Sequence, residues 1–260
     1  MKIGVFDSGI GGITVLHQAI TILPDEDYIY YADTDHVPYG IKPKEKVREY
    51  IFKAVDFIVK QGIKALVIAC NTATSVAIKD LRNRYDFPII GMEPAVKPAV
   101  RENNGSDKRV LVLATPLTLK EEKFNRLLLR VDKEHIVDFL PAARLVEFAE
   151  SFKFNGSQVK RYMAEKLSNF NLDNYSTMVL GCTHFLYFKS VIREVIPDDI
   201  DLIDGNKGTV IYLKKRLQKI NALDNGSGKI TYYNSENKPV PDKKYSRLLK
   251  VLDNQADSFN

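Results

Sequence analysis

Two cysteines, Cys70 and Cys182, are the only thiols in the chain, and each ends a stretch that looks like a copy of the other. Residues 66–74 and 178–185 each run from aliphatic residues through a small residue to a cysteine, then to hydroxyl or amide side chains. A short apolar run ended this way reads as a buried parallel strand reaching its carboxyl end. Ligands bind at that end in open α/β sheets. Two thiols on opposite faces of one carbon suit a particular chemistry. One takes a proton from one face, the other returns a proton to the opposite face, and the stereocentre inverts. The pair must start as one thiolate and one thiol. A free thiol titrates near about 8.5 and needs only modest lowering to act as a base near neutrality.

Each cysteine has tuners close in sequence. Asn71 and Thr72 follow Cys70, and Asp7 ends the adjacent strand. Thr183 and His184 follow Cys182, with Glu147 able to face the same side. Plainer roles are open to these residues too. A buried cysteine is often just a small core residue, His184 could be a satisfied core histidine, and Glu147 a solvated helix residue. Asp7 resists such a reading, because an apolar strand normally hides no carboxylate. Cys182 and His184 supply two zinc ligands but no closed set, so no metal is expected.

The elements that must carry these residues alternate. Strands are expected at 3–7, 28–32, 64–69, 87–92, 109–114, 136–140, 177–181, 201–204 and 229–233. Helices are expected at 13–22, 44–61, 74–85, 120–129, 159–168, 187–195, 209–219 and 245–252, with a turn-rich loop at 221–228. Residues 44–61 place Val47, Ile51, Ala54, Val55 and Ile58 on one face, and Gly62 follows as a helix stop. The Ser8-Gly9-Ile10-Gly11-Gly12 turn between the first strand and helix brings backbone N–H groups to a helix start, an anion-binding arrangement. Its spacing is neither the Rossmann nor the P-loop one, so nucleotide binding is not supported. Ile3 and Val110, Ile29 and Val137, Cys70 and Cys182, and Ile90 and Leu202 are separated by nearly equal spans, the mark of a diverged duplication. The expected fold class is α/β: two similar parallel-sheet domains related by a pseudo-two-fold axis, with the active site in the cleft between them.

Composition is that of an ordinary globular protein, with 260 residues, 45% apolar and 27% charged. The net charge of +5 is spread over many lysines without a basic stripe of interleaved aromatics, so no nucleic-acid partner is expected. No apolar run is long enough to span a membrane. The N-terminal residues do not read as a signal peptide, which points to the cytoplasm and to reduced thiols rather than a disulfide. No cofactor motif is present.

Four motifs then stand in register: Phe6-Asp7-Ser8-Gly9-Ile10-Gly11-Gly12, Asp33 through Pro38-Tyr39-Gly40, Ala69-Cys70-Asn71-Thr72-Ala73, and Gly181-Cys182-Thr183-His184. Over essentially its whole length the chain resembles the cofactor-independent aspartate/glutamate racemases, and glutamate racemase in particular. The resemblance implies that residues after about 207 return to complete the first domain, giving domains of 1–97 plus 207–260 and of 98–206. It implies Cys70 as the base for D-glutamate and Cys182 for L-glutamate, with Asp7, Glu147 and His184 assisting. It places Asp7, Ser8, Tyr39, Gly40, Asn71, Thr72, Thr183 and His184 around the substrate, with Thr115 and Thr118 in the same cleft. It also implies a role in supplying D-glutamate for peptidoglycan precursors, with a homodimer left open. The chain departs from the family pattern at Phe139-Leu140-Pro141-Ala142-Ala143-Arg144-Leu145-Val146-Glu147, where a cysteine and bulky residues are replaced and Glu150 stands close by. A related two-cysteine racemase acting on aspartate or another compound is the alternative; a catalytically idle binding protein would not need both thiols.

Overall fold

In the computed structural model, which describes residues 1–224 and 226–257, nine parallel strands are divided between two sheets. Each strand-helix-strand step follows the alternation in the sequence. The first sheet contains β1 (Lys2–Asp7), β2 (Tyr28–Ala32), β3 (Ile63–Ile68), β4 (Ile89–Gly91) and β9 (Ile230–Asn234), in the order β4-β3-β1-β2-β9. The second contains β5 (Arg109–Ala114), β6 (Val137–Pro141), β7 (Tyr175–Leu180) and β8 (Asp201–Asp204), in the order β6-β5-β7-β8. Reading β5 to β8 as the copies of β1 to β4, the four strands stand in the same order in both sheets, and β9 is added at the edge of the first. Even the register slip is repeated, between Lys2 and Ile3 in one sheet and between Arg109 and Val110 in the other. The equal spans in the sequence therefore correspond to equivalent strands.

The connecting helices are α1 (Ile13–Ile22), α2 (Lys44–Lys60), α3 (Asn71–Arg84), α4 (Val96–Asn103), α5 (Pro116–Lys120), α6 (Glu122–Val131), α7 (Arg144–Glu150), α8 (Ser157–Leu167), α9 (Lys189–Arg193), α10 (Asn206–Lys219) and α11 (Lys243–Asp257). α2 buries the five apolar residues its periodicity marked, and Gly62 takes the left-handed conformation just past its end, φ +76°. α4, α5 and α7 are additional to the expected elements. α4 and α5 carry proline in the first turn, where the missing N–H costs nothing. In place of one helix over 187–195, a 3-10 helix at Thr183–Phe188 leads into α9. The loop expected at 221–228 includes Asn225, which lies outside the described residues.

Two apolar layers cover the first sheet. One face packs on α2 and α3. The other packs on α1, which lies between this sheet and the second half; a single cluster runs from Ile3 and Tyr30 through Leu16 to Leu111 and Phe185. The halves thus share a core, and their strand ends face each other. Among the described residues no helix is long and apolar enough to cross a membrane.

Candidate active site

In each sheet the chain leaves the first strand toward one neighbour and later returns on its other side. This makes a crevice at the carboxyl ends of β1 and β3, and again at β5 and β7, the switch points where α/β sheets bind ligands. Asp7 ends β1, and Cys70 follows β3 beside it. Cys182 follows β7 at the equivalent place. Both thiols are buried, 6% and 7% exposed, and are not bonded to each other.

Cys70 is the N-cap of α3, which starts three residues earlier than the periodicity suggests. Its Sγ accepts from the Ala73 N–H at 3.4 Å and lies 3.7 Å from Ser8 Oγ. A helix N-terminus favours a thiolate, but burial and the neighbouring Asp7 charge outweigh the Ala73 and Ser8 hydrogen bonds and push the Cys70 thiol well up. Asp7 is fully buried. Its Oδ1 accepts from the Gly9 N–H at 3.0 Å and from Ser8 Oγ at 3.4 Å, and its Oδ2 accepts from Thr183 Oγ1 at 3.1 Å across the interface. Burial raises its carboxyl to about 6, against the opposing His184 charge and these donors.

Cys182 has a different partner. Its Sγ lies 3.9 Å from His184 Nδ1, and His184 Nε2 bonds Glu150 Oε1 at 2.7 Å. Burial alone would strip the ring of its proton. The bonds to Cys182 and Glu150 win, and the imidazole titrates well above the ordinary histidine value. Burial also works against the Glu150 carboxylate, yet His184 and the Ile10 N–H, at 2.7 Å, hold it below its usual range. The pair is therefore imidazolium and carboxylate, with positive charge set against Cys182. Glycine is required where the turn meets this pair: an added Cβ would lie 1.8 Å from Glu150 Oε1 at Gly9 and 2.3 Å from His184 Nδ1 at Gly11.

Known proteins of one family are similar to this chain. The profile of the Asp/Glu/hydantoin racemases matches residues 13–212. A glutamate racemase from Halothermothrix orenii is 58% identical over 97% of this chain and 100% of its own length, and glutamate racemase 2 of Bacillus subtilis is 56% identical over 97% of each. The crystal structure of a Francisella tularensis glutamate racemase in complex with D-glutamate is similar at a TM-score of 0.81 and 28% identity, covering 95% of this chain and 92% of that one. The chain belongs to this racemase family. It is an isomerase.

The racemase fold brings together most of the residues singled out by sequence. Asp7, Ser8 and Cys70 form one cluster, and Thr183, His184 and Cys182 the other, joined through the Thr183–Asp7 bond. Asn71 is buried next to Cys70. Thr72 Oγ1 meets Thr115 Oγ1 at 2.9 Å and Thr118 Oγ1 at 3.1 Å, so three hydroxyls knit α3 to α5 across the halves. Gly40 faces Thr115. Tyr39 is buried in the same apolar cluster as Cys70, but its hydroxyl donates to Asp33 Oδ2 at 2.5 Å.

Glu147 is not in the cluster. It lies on the exposed face of α7 with Arg144 and Ser151, one turn away on either side. Glu150 falls one turn past the buried Val146 and points inward to His184. The helical period carries this signal, since 142, 145, 146, 149 and 150 share a face. Among the described residues no three His, Cys, Asp or Glu side chains group as a metal site.

Proposed function

We propose that this racemase interconverts L- and D-glutamate by two-thiol proton transfer at Cα, with Cys182 serving the L enantiomer and Cys70 the D enantiomer. The observation that carries the reading is the pairing of each thiol with its own proton-handling group at equivalent strand ends. Cys182 faces the His184 imidazolium at 3.9 Å. Cys70 is held toward the thiol by burial and Asp7. From L-glutamate, the Cys182 thiolate takes the α-proton and becomes a thiol. The carbanion then receives the Cys70 proton on its other face, leaving a Cys70 thiolate, and the reverse steps run from D-glutamate. Asp7, Ser8, Asn71, Thr72 and Thr183, with the Tyr39-Gly40 segment, surround the substrate's amino and carboxylate groups. Glu150, rather than Glu147, orients His184.

The likeness to glutamate racemases over nearly the whole chain supports glutamate as substrate, and with it a role in supplying D-glutamate for peptidoglycan precursors. Strand membership supports domains of 1–97 plus 207–260 and of 98–206. The test is chiral chromatography after incubating purified protein with D-glutamate or D-aspartate, without added cofactor. L-glutamate should accumulate to an equal mixture. Conversion of aspartate in its place, or conversion only after a cofactor is added, would overturn the reading.

A further inference from the structure

Tyr30 is fully buried on β2, edge-on to Tyr232 and Tyr245, and takes no part in the steps above. Its hydroxyl donates to the Gly9 carbonyl at 2.6 Å. That carbonyl belongs to the same peptide unit as the Ile10 N–H, which donates to Glu150 Oε1 at 2.7 Å. One rigid amide is therefore held at both ends. A donor on its oxygen polarises it and strengthens donation from its nitrogen. Burial and the nearby Asp7 charge hold the Tyr30 phenol well above its ordinary value, so it remains a donor throughout the working pH range.

From this geometry we infer that Tyr30 is a positioning residue for the Cys182 half of the site, acting through the Gly9–Ile10 peptide on Glu150, from there on His184, and so on Cys182. A second buried phenol provides an internal contrast. Tyr187 donates to the Ile10 carbonyl at 3.0 Å. That carbonyl lies in the next peptide unit, whose nitrogen is Gly11, so Tyr187 does not share an amide with the Glu150 donor. The Asp7 side is served by yet another unit, whose N–H is that of Gly9. The turn thus distributes its peptide groups, and the Tyr30 hydroxyl hydrogen-bonds the one leading to Cys182.

The inference rests on the two-thiol reading, and one arm of the test stands without it. In a Cys70→Ser background, exchange of the α-hydrogen of L-glutamate in heavy water reports Cys182 alone. There Tyr30→Phe should slow exchange by about 3- to 10-fold, the rate equivalent of one hydrogen bond. In a Cys182→Ser background, exchange from D-glutamate should change by less than about twofold. Equal slowing in both backgrounds, or in neither, overturns the inference. If neither parent exchanges either enantiomer, the two-thiol reading falls and the second arm decides. There, NMR follows the His184 Nε2–H proton in the otherwise native enzyme. Tyr30→Phe weakens Ile10 donation, leaves Glu150 more basic so that it draws the Nε2 proton and positive charge away from the ring that faces Cys182, and should move the proton downfield. Difluorotyrosine at position 30, a stronger donor of the same shape, should move it upfield, and Tyr187→Phe, whose phenol feels the Glu150 charge but does not share the amide that serves it, should move it less. An unmoved resonance, or equal movement in Tyr187→Phe, refutes the relay.

Discussion

Replacing Asp7 with asparagine should make the protein more stable at neutral pH and nearly inactive. Burial raises the carboxyl from 3.8 to about 6, so the folded state holds this proton more tightly than the unfolded chain. The sign follows from linkage. Stability associated with this group is fully present below the unfolded value and is lost as pH rises through the folded one. A rise of about two units corresponds to about 3 kcal/mol of cost at neutrality. Asparagine removes the charge and can keep the contacts, its oxygen accepting from the Gly9 N–H and its amide donating to a reoriented Thr183 hydroxyl. Relative to the native chain, Asp7→Asn should therefore gain about 2 kcal/mol more at about pH 7.5 than at about pH 4.5. Urea unfolding of both proteins at both pH values measures the difference, and other groups titrate alike in the pair. Turnover, read by chiral chromatography, should fall by about 10²–10⁴-fold. The native enzyme should lose activity on an acid limb near pH 6 that the variant's residual activity lacks. A variant equally shifted in stability at both pH values, or one destabilised at neutrality, would refute the buried-carboxylate account. Normal turnover would make Asp7 structural.

Three further outcomes are expected. Cys70→Ser should abolish racemisation yet still exchange the α-hydrogen of L-glutamate faster than that of D-glutamate, and Cys182→Ser should show the opposite preference; NMR in heavy water would expose the error if both favoured one enantiomer. Glu150→Gln should cut kcat by about 10- to 100-fold through loss of a charge-assisted bond to His184, whereas Glu147→Gln should change it by less than about twofold. Equal effects in that assay would place both carboxylates in the machinery. Gly9→Ala puts a methyl 1.8 Å from Glu150 Oε1 and must push the carboxylate off Ile10 and His184. Its activity should fall by at least about 10-fold while its far-UV circular dichroism stays native, and near-native activity would show that Glu150 can work from elsewhere.

Much of this protein is local and therefore readable in one dimension. Alternating apolar runs and amphipathic stretches determined the nine strands and most helices, because burial demands period 2 or 3.6 from each element separately. Equal spans between the two cysteine stretches pointed to matching halves, and four strands of each sheet stand in the same order. Short elements such as α7 escaped, since two turns of helix provide too few periods. The helical period already sets Glu150 on the buried face of α7 and Glu147 off it, but tertiary structure decided what that face meets: α7 packs on the 3-10 helix at Thr183–Phe188, which puts Glu150 onto the His184 ring. Tertiary structure also decided the unequal surroundings of the thiols. Cys70 and Cys182 occupy equivalent strand ends, but one is buried beside a carboxylate and the other faces an imidazolium. Asp7 reaches Cys70 from a strand far off in sequence, and Glu150 reaches His184, the neighbour of Cys182, from another helix; desolvation exists only once the two halves have closed over them.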